Sequence, residues 1–310
     1  MDRKQLTSNV LMIRPFAFGY NPETAETNAF QEEPEQTDPL DIRAKALVEF
    51  NGMVERLQSV GIGVTVVDDS PEPVKIDAVF PNNWISTHAD GTVVTYPMLS
   101  PIRRAERRNA VIDELAGHFR IERRLSLADL EEQGQFLEGT GSLVLDRPFR
   151  LAYACLSPRT HSDALKTFCR LMNFRPVAFE AVDRNGQPIY HTNVMMNVGE
   201  EFAVVCLDSI RKVDERRKVR QALVSTGKEI VEIDYAQLEA FAGNMLQLEN
   251  ATGDPVLVMS QQAYGSLRSD QIQALKQYAQ ILPVSLDSIE RYGGGSARCM
   301  LAEIFLPVKD

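Results

Sequence analysis

The sequence lacks several features that would place it in a specialised class of protein. It has four cysteines in 310 residues, scattered and without a CxxC pair, which excludes a disulfide framework. No eighteen consecutive residues are apolar, so no membrane span is expected. A basic excess is also missing: the net charge of -10 makes nucleic acid an unexpected partner.

The start of the chain, MDRKQLTSNV, lacks the apolar stretch and small-residue cleavage site of a signal peptide. Together with the missing membrane span, this start leads us to expect a cytoplasmic protein. What the sequence does contain is ordinary. Its 44% hydrophobic and 25% charged residues suit a globular chain with a sizeable core.

The four cysteines are expected to be free thiols, and three of them have settings typical of small buried hydrophobic residues. Cys155 and Cys206 lie in apolar, strand-like runs, and Cys169 lies in a helical pattern. Cys299 differs, because it follows the glycine run at 293–295, where backbone can approach a ligand closely. This position favours a role for Cys299 as a reactive thiol in an active site.

An order of strand, strand, amphipathic helix and strand recurs about every 50 to 60 residues. Four such units begin near residues 77, 136, 191 and 244, with helices expected at about 103–117, 161–172, 213–225 and 270–280. A fifth unit opens after Cys299 and is completed by N-terminal segments that include a helix at about 42–60, so the units close a circle. The pattern predicts one α/β domain over residues 1–310, built from repeats around an axis.

Residues 17–39 form the one long stretch without a helix or strand pattern, and they are rich in Glu, Asn, Thr and Pro. A surface loop of this length is uncommon in a compact domain. Two interpretations stay open: an ordinary surface loop, or a lid over a site.

Each opening strand, which would lie nearest the axis, starts with a polar residue of functional type. If the units surround an axis, these residues converge. They are Asn82, Asn83, Glu138, His191, Asn193, Asn244 and Cys299. A thiol, an imidazole and a carboxylate in one cavity make a nucleophile, its acid/base partner, and a group that orients the imidazole and favours its charged form. Cys299, His191 and Glu138 are therefore the candidate catalytic triad.

Other interpretations of these residues remain open at this stage. Glu138 could bond turn amides next to its neighbouring glycines, and His191 could be an ordinary histidine at a strand edge. One Cys, one His and one Glu fit no common zinc spacing, so we expect no metal, and nothing indicates another cofactor.

The motifs FPNNW, FLEGTGSLVLD, HTNVMM and GGGSARCMLAE, in this order along essentially the whole chain, resemble the guanidine-modifying superfamily. That superfamily includes arginine deiminase, dimethylargininase, agmatine deiminase and the amidinotransferases, and the similarity is greatest to its citrulline-utilisation hydrolase branch. The resemblance implies a five-bladed pseudosymmetric α/β propeller, or pentein, of strand-strand-helix-strand units. It also implies Cys299 as nucleophile, His191 as general acid/base and Glu138 as its partner.

The sequence departs from the family pattern at two positions. Deiminases of a cationic guanidinium carry aspartates in their FxRD and HxD motifs, because paired carboxylates match that charge. The corresponding residues here are Asn83 and Asn193. Carboxamides carry no charge and suit a neutral ureido group, which favours citrulline over arginine. Alternatively, Glu33 or Glu35 in the 17–39 segment supplies the missing charge.

Two arginines match positions that bind the substrate α-carboxylate in dimethylargininases. Arg103 lies in PIRRAE and Arg159 in LSPRTH, which makes them candidates for a carboxylate clamp. Agmatine, which has no carboxylate, would then be disfavoured. The alternative for Arg103 is a solvated helix face.

These observations predict a cofactor-free cysteine hydrolase that converts L-citrulline to L-ornithine, carbon dioxide and ammonia through an S-carbamoyl cysteine. Asn82, Asn83, Asn193 and Asn244 would bond the ureido group. Arginine or agmatine deimination, dimethylarginine hydrolysis or amidino transfer by the same triad is the alternative reaction. A binding protein is the alternative class, since the fold also resembles that of a ribosome-subunit anti-association factor. A homodimer is compatible with the chain, but nothing demands it.

Overall fold

The computed structural model describes residues 4–309, whose strands form five separate sheets of three strands each. The strands are β1 (Asn9–Arg14), β2 (Gly63–Asp68), β3 (Ile85–Thr87), β4 (Thr92–Thr95), β5 (Arg123–Ser126), β6 (Val144–Asp146), β7 (Leu151–Cys155), β8 (Arg175–Phe179), β9 (Met196–Val198), β10 (Phe202–Val205), β11 (Glu229–Glu232), β12 (Leu246–Glu249), β13 (Pro255–Ser260), β14 (Gln280–Val284) and β15 (Ala302–Glu303). The helices are α1 (Pro22–Ala25), α2 (Pro39–Ser59), α3 (Asn109–His118), α4 (Gly139–Ser142), α5 (Ser162–Met172), α6 (Thr192–Met195), α7 (Val213–Ser225), α8 (Tyr235–Glu239), α9 (Gln261–Ser266), α10 (Ser269–Lys276) and α11 (Asp287–Gly293).

One pairing pattern is repeated in all five sheets. Within each sheet the middle strand pairs antiparallel with the first strand of the unit and parallel with the third. A helix joins the parallel strands, as parallel pairing requires. In the fifth sheet β15 pairs with β1, so residues from both ends of the sequence share a sheet. The mixed α/β fold and its five small sheets thus fit the pseudosymmetric repeat expected from the sequence.

The connecting helices begin and end where the sequence provides the appropriate residues. At the start of α2, the side chain of Asp38 accepts a hydrogen bond from Leu40 N and Pro39 occupies the first turn. Helix α5 buries one apolar stripe and ends at Asn173, which takes a left-handed conformation with φ of 56°. The predicted helices at 161–172 and 213–225 agree with α5 and α7 to within one residue.

The helix expected at 103–117 is not continuous. A 3₁₀ turn covers Ile102–Glu106, and α3 starts only at Asn109. In a 3₁₀ turn the side chains at i and i+3 lie directly above one another. Arg103 and Glu106 use this geometry to form a buried ion pair, with Arg103 Nε 2.8 Å from Glu106 Oε1. The split therefore places two charged side chains inside the protein.

The opening strands are shorter than the sequence pattern suggested. Each is two to four residues long, and the functional residues lie before it in tight turns. Asn82 and Asn83 lie in the 3₁₀ turn Pro81–Asn83, while Glu138 and His191 directly precede α4 and α6. The expectation that these residues start the strands is thus corrected.

All four cysteines are free thiols. Burial raises the pKa of Cys155 and Cys169 to about 12 and that of Cys206 to about 11. These three pack in hydrophobic clusters, which matches the inert role expected for them. Between residues 4 and 309, no helix is long and apolar enough to cross a membrane.

Candidate active site

Glu138 and His191 form a buried hydrogen-bonded pair. Glu138 Oε2 lies 2.8 Å from His191 Nε2, and Glu138 Oε1 accepts from Leu99 N at 3.0 Å. The pKa of Glu138 is lowered to about 2, against the effect of its own burial, by Arg159, His191 and Arg103. An ionised carboxylate only accepts, so Nε2 carries the imidazole proton. The other ring nitrogen, Nδ1, is left free to accept a proton.

The imidazole of His191 is neutral near pH 7. Its burial lowers the pKa to about 4, and nearby Arg159 and Arg103 act in the same direction. Glu138 raises this pKa, as the sequence analysis expected, but desolvation is the larger effect. His191 therefore begins as a base and not, as expected, as an imidazolium.

The sulfur of Cys299 receives two side-chain amide donors. Asn244 Nδ2 lies 3.3 Å and Asn193 Nδ2 lies 3.5 Å from Sγ. The same Asn244 also accepts from Arg298 N (3.1 Å) and donates to Asn193 O (2.9 Å). These contacts fix the turn that carries the cysteine and stabilise negative charge as it develops on sulfur.

A small pocket brings several of the predicted site residues together. Its wall includes Asn83, Arg103, Arg159, His191 and Cys299. The glycine run at 293–295 also lines it, and the open space inside is about 20 Å³, enough for about one water molecule.

The glycines of that run allow the backbone to approach another group closely, but that group is a side chain of the protein and not the expected ligand. A Cβ on Gly293 or Gly295 would lie 2.9 Å from the ring of Phe80, which also lines the pocket. The turn before Cys299 is therefore packed against an aromatic ring.

The remaining asparagines have different positions. Asn244 donates to Cys299 Sγ and to Asn193 O and accepts from Arg298 N, and it is not among the residues lining the pocket. Asn193 also reaches the sulfur, and its Oδ1 is buried without a partner. Asn82 is fully buried, and both its amide atoms lack partners. Neither Asn82 nor Asn193 is among the residues lining the pocket.

The two predicted clamp arginines are buried. Arg103 is 3% exposed, so the alternative of a solvated helix face is wrong. Arg159 is also 3% exposed and lies over the ring of Tyr190, with 4.9 Å between its Cζ and the ring centroid. Both guanidinium groups line the pocket.

The 17–39 segment lies over this pocket. Thr24, Asn28 and Gln31 contribute to its wall. Arg159 holds the segment by donating to Thr24 O (2.7 Å) and to Thr27 Oγ1 (2.7 and 2.9 Å). The alternative source of negative charge is not supported, since neither Glu33 nor Glu35 is among the lining residues.

Asp77 is a buried carboxylate in the pocket wall that was not predicted from the sequence. Its Oδ2 accepts from Asn21 Nδ2 (2.7 Å) and Thr24 Oγ1 (3.2 Å), while Oδ1 has no partner. The signal was an acidic residue inside the apolar run DAVF, which we took for part of a strand. In residues 4–309, no group of three or more His, Cys, Asp or Glu side chains is arranged to hold a metal ion.

The kcat/KM profile is expected to show an acid limb near pH 4, and not near the ordinary histidine value of 6.5. Because His191 must be unprotonated to act as base, activity is lost as the pH falls through its lowered pKa of about 4. Replacing Glu138 with Gln removes a group that raises this pKa, so the limb should move lower while kcat falls. A pH–rate profile of both proteins tests this, and a wild-type limb at 6.5 would contradict the desolvated imidazole.

Gly141 is expected to tolerate no side chain. A Cβ there would lie 2.5 Å from Asn83 Nδ2 and 2.8 Å from His191 Nδ1. A displacement of about 1 Å at reacting groups costs about 100-fold in rate, so Gly141→Ala should lower kcat/KM by at least that factor. Gly265→Ala is the matched control, because a Cβ there meets no atom within 4 Å. Equal activity of the two variants would contradict this arrangement of the site.

A family model described as N,N dimethylarginine dimethylhydrolase, eukaryotic, matches residues 14–306. The chain belongs to this family. It is thereby a member of the guanidine-modifying pentein superfamily, as the sequence predicted. A search of curated proteins gives no significant match.

Solved structures share the fold of this dimethylarginine dimethylhydrolase family member at low identity. ArgZ, a cyanobacterial arginine dihydrolase, has a TM-score of 0.73 and 15% identity, covering 95% of this chain and 40% of that one. AgrE in complex with L-arginine has a TM-score of 0.73 and 18% identity, covering 97% and 41%. DDAH from Pseudomonas aeruginosa, complexed with citrulline, has a TM-score of 0.65 and 12% identity, covering 96% and 99%. The chain thus spans about two fifths of the length of ArgZ and AgrE.

Proposed function

We propose that this protein hydrolyses L-citrulline to L-ornithine, carbon dioxide and ammonia. The amide of Asn83 is the observation that carries the proposal. It lines the pocket with His191 and Cys299, and it is uncharged. A ureido group is neutral and presents a carbonyl oxygen, so a carboxamide suits it better than a carboxylate does.

The first half of the reaction forms the covalent intermediate. His191 Nδ1 takes the proton of Cys299, and the sulfur attacks the ureido carbon. Imidazolium His191, stabilised by Glu138 at 2.8 Å, then protonates the departing nitrogen of ornithine. The products of this half are ornithine and an S-carbamoyl cysteine.

Water completes the reaction. Neutral His191 removes a proton from a water molecule as that water attacks the carbamoyl carbon, and the sulfur leaves as the thiol. The carbamic acid released decomposes to carbon dioxide and ammonia. One water is consumed for each citrulline.

The pocket also carries charges that suit the two α-groups of an amino acid. Arg159 provides a guanidinium for a carboxylate, while the unpartnered Oδ1 of Asp77 provides an acceptor for an ammonium group. Arg103 adds positive charge in the pocket wall, but its Nε, Nη1 and Nη2 already donate to Glu106 and Asn83. This combination disfavours agmatine, which has no carboxylate.

Residues 17–39 act as a lid in this proposal. Thr24, Asn28 and Gln31 of the segment line the pocket, and Arg159 donates its hydrogen bonds to Thr24 and Thr27 of the same segment. Substrate entry must therefore displace this segment and exchange its contacts with Arg159 for the substrate carboxylate.

For the whole domain we propose the closed five-bladed propeller, with one sheet as each blade. Three observations support it. β15 pairs with β1, and the opening strands β15 and β3, β6 and β9, and β9 and β12 are in contact. Third strands such as β2 and β11 are more exposed than the middle strands β1 and β10. A homodimer remains a prediction.

A product assay tests the function directly. Purified protein is incubated separately with citrulline, arginine, agmatine and dimethylarginine, and ornithine, citrulline and ammonia are measured. Ornithine from citrulline supports the proposal. Citrulline formed faster from arginine or dimethylarginine would overturn the substrate but keep the triad, and no product from any of the four would favour a binding protein.

A further inference from the structure

Arg103 connects the pocket to a buried carboxylate behind it. Its Nε and Nη2 donate to the two oxygens of Glu106 at 2.8 and 2.9 Å, and its Nη1 donates to Asn83 Oδ1 at 2.9 Å. All three side chains are at most 4% exposed. The guanidinium is thus gripped on one side and bonded to the pocket amide on the other.

This contact fixes the orientation of the Asn83 amide. A guanidinium has N–H donors and no acceptor, so the atom next to Arg103 must be Oδ1. Nδ2 is then directed elsewhere, and it is buried without a partner. It lies beside Gly141, as does His191 Nδ1, so the unpaired donor is next to the catalytic base.

We infer that Arg103, held by Glu106, is a positioning residue that makes Asn83 a hydrogen-bond donor and thereby selects carbonyl substrates over guanidinium substrates. The inference deepens the proposed function and rests on it for the substrate. A ureido oxygen accepts from Asn83 Nδ2. A guanidinium presents only N–H donors there, which leaves two donors facing each other without an acceptor.

Glu106 is needed because other acceptors surround Arg103. Asp77 Oδ2 lies 3.6 Å from Nε, and Glu138 Oε2 lies 3.8 Å from Nη1. Without the two-point grip of Glu106, the guanidinium can turn toward these carboxylates and release Asn83. The amide is then free to rotate and to offer Oδ1 to an N–H donor.

Binding of citrulline and arginine distinguishes this role from a carboxylate clamp. The two ligands have identical α-carboxylate and α-ammonium groups, so a lost clamp weakens the binding of both equally. The ratio of the affinity for citrulline to the affinity for arginine is then unchanged. We would measure both dissociation constants by calorimetry on Cys299→Ala protein carrying Glu106→Gln or Arg103→Lys. Since an orphaned buried donor costs about 1 to 3 kcal/mol, the ratio should fall by about 5-fold to 150-fold in each variant.

Two further variants keep the result interpretable. Glu232→Gln is the control, because it breaks an ion pair with Arg220 away from the pocket and should leave the ratio unchanged. Asn83→Ala leaves the Arg103–Glu106 pair in place. It should lower the ratio as Glu106→Gln does, and adding Glu106→Gln to it should lower the ratio no further.

The outcomes separate this inference from the proposed function. An unchanged ratio in Glu106→Gln and Arg103→Lys would overturn it, as would a ratio that still falls when Glu106→Gln is added to Asn83→Ala. Failure of both ligands to bind would also overturn it. If citrulline binds preferentially and the ratio falls as expected, yet wild-type protein releases no ornithine, the proposed reaction is wrong and the inference stands.

Discussion

The Cys299→Ala protein should fold normally and lose citrulline turnover by at least about 10⁴-fold, the scale seen when a covalent nucleophile is removed. The sulfur has no substitute in the site, since Cys155, Cys169 and Cys206 are buried in hydrophobic clusters and carry raised pKa values. The loss would be measured as kcat for ornithine release, with thermal unfolding to check the fold.

The change leaves the N–H groups of Asn193 and Asn244 without the sulfur that accepts from them. That costs about 1 to 3 kcal/mol of stability, which a folded domain of this size can tolerate. Cys169→Ala is the matched control: it removes a buried thiol from helix α5 and should retain turnover. Substantial activity in Cys299→Ala would exclude the covalent mechanism.

Asn83→Asp should reverse the preference between citrulline and arginine. One oxygen of the new carboxylate accepts from Arg103, as Oδ1 of Asn83 now does at 2.9 Å. The other oxygen replaces the donor Nδ2 with an acceptor that fits a guanidinium N–H and repels the ureido oxygen. We expect kcat/KM for citrulline to fall about 100-fold and that for arginine to rise, because each substrate then meets the opposite hydrogen-bonding partner.

Initial rates with both substrates, by ornithine and citrulline release, measure this reversal. Asn185→Asp adds the same negative charge at an exposed loop and controls for a general electrostatic effect. If Asn83→Asp lowers both rates equally, position 83 supports the site without choosing the substrate.

The order of strands and helices within the repeated units could be predicted from the sequence. Polarity patterns indicated five units, and helices α5 and α7 follow the predicted bounds because their apolar stripes have helical spacing. The length of the opening strands was overestimated, because buried turns such as Pro81–Asn83 have no sequence periodicity that separates them from a strand. Asp77 was missed for a related reason: its neighbours are apolar, and only the fold brings it to the pocket.

Site residues were easier to list than to orient. Cys299, His191 and Glu138 were named from their positions in the repeat, and the structure places Glu138 against His191. The neutral state of His191 depends on burial, which spacing does not reveal. Likewise, the direction of the Asn83 amide depends on an arginine twenty residues later.

The pairing of β15 with β1 has a consequence for how the active enzyme is made. Val10 and Leu11 pair with Glu303 and Ala302, across almost the whole sequence. Contacts this distant form late in folding, because closing a long loop costs entropy before it returns any contact energy. Cys299 lies three residues before β15, so the reactive thiol gains its surroundings only as this sheet closes. A partly folded chain would thus expose the Cys299 thiol without a catalytic base. The thiol would become reactive only when the fold is complete.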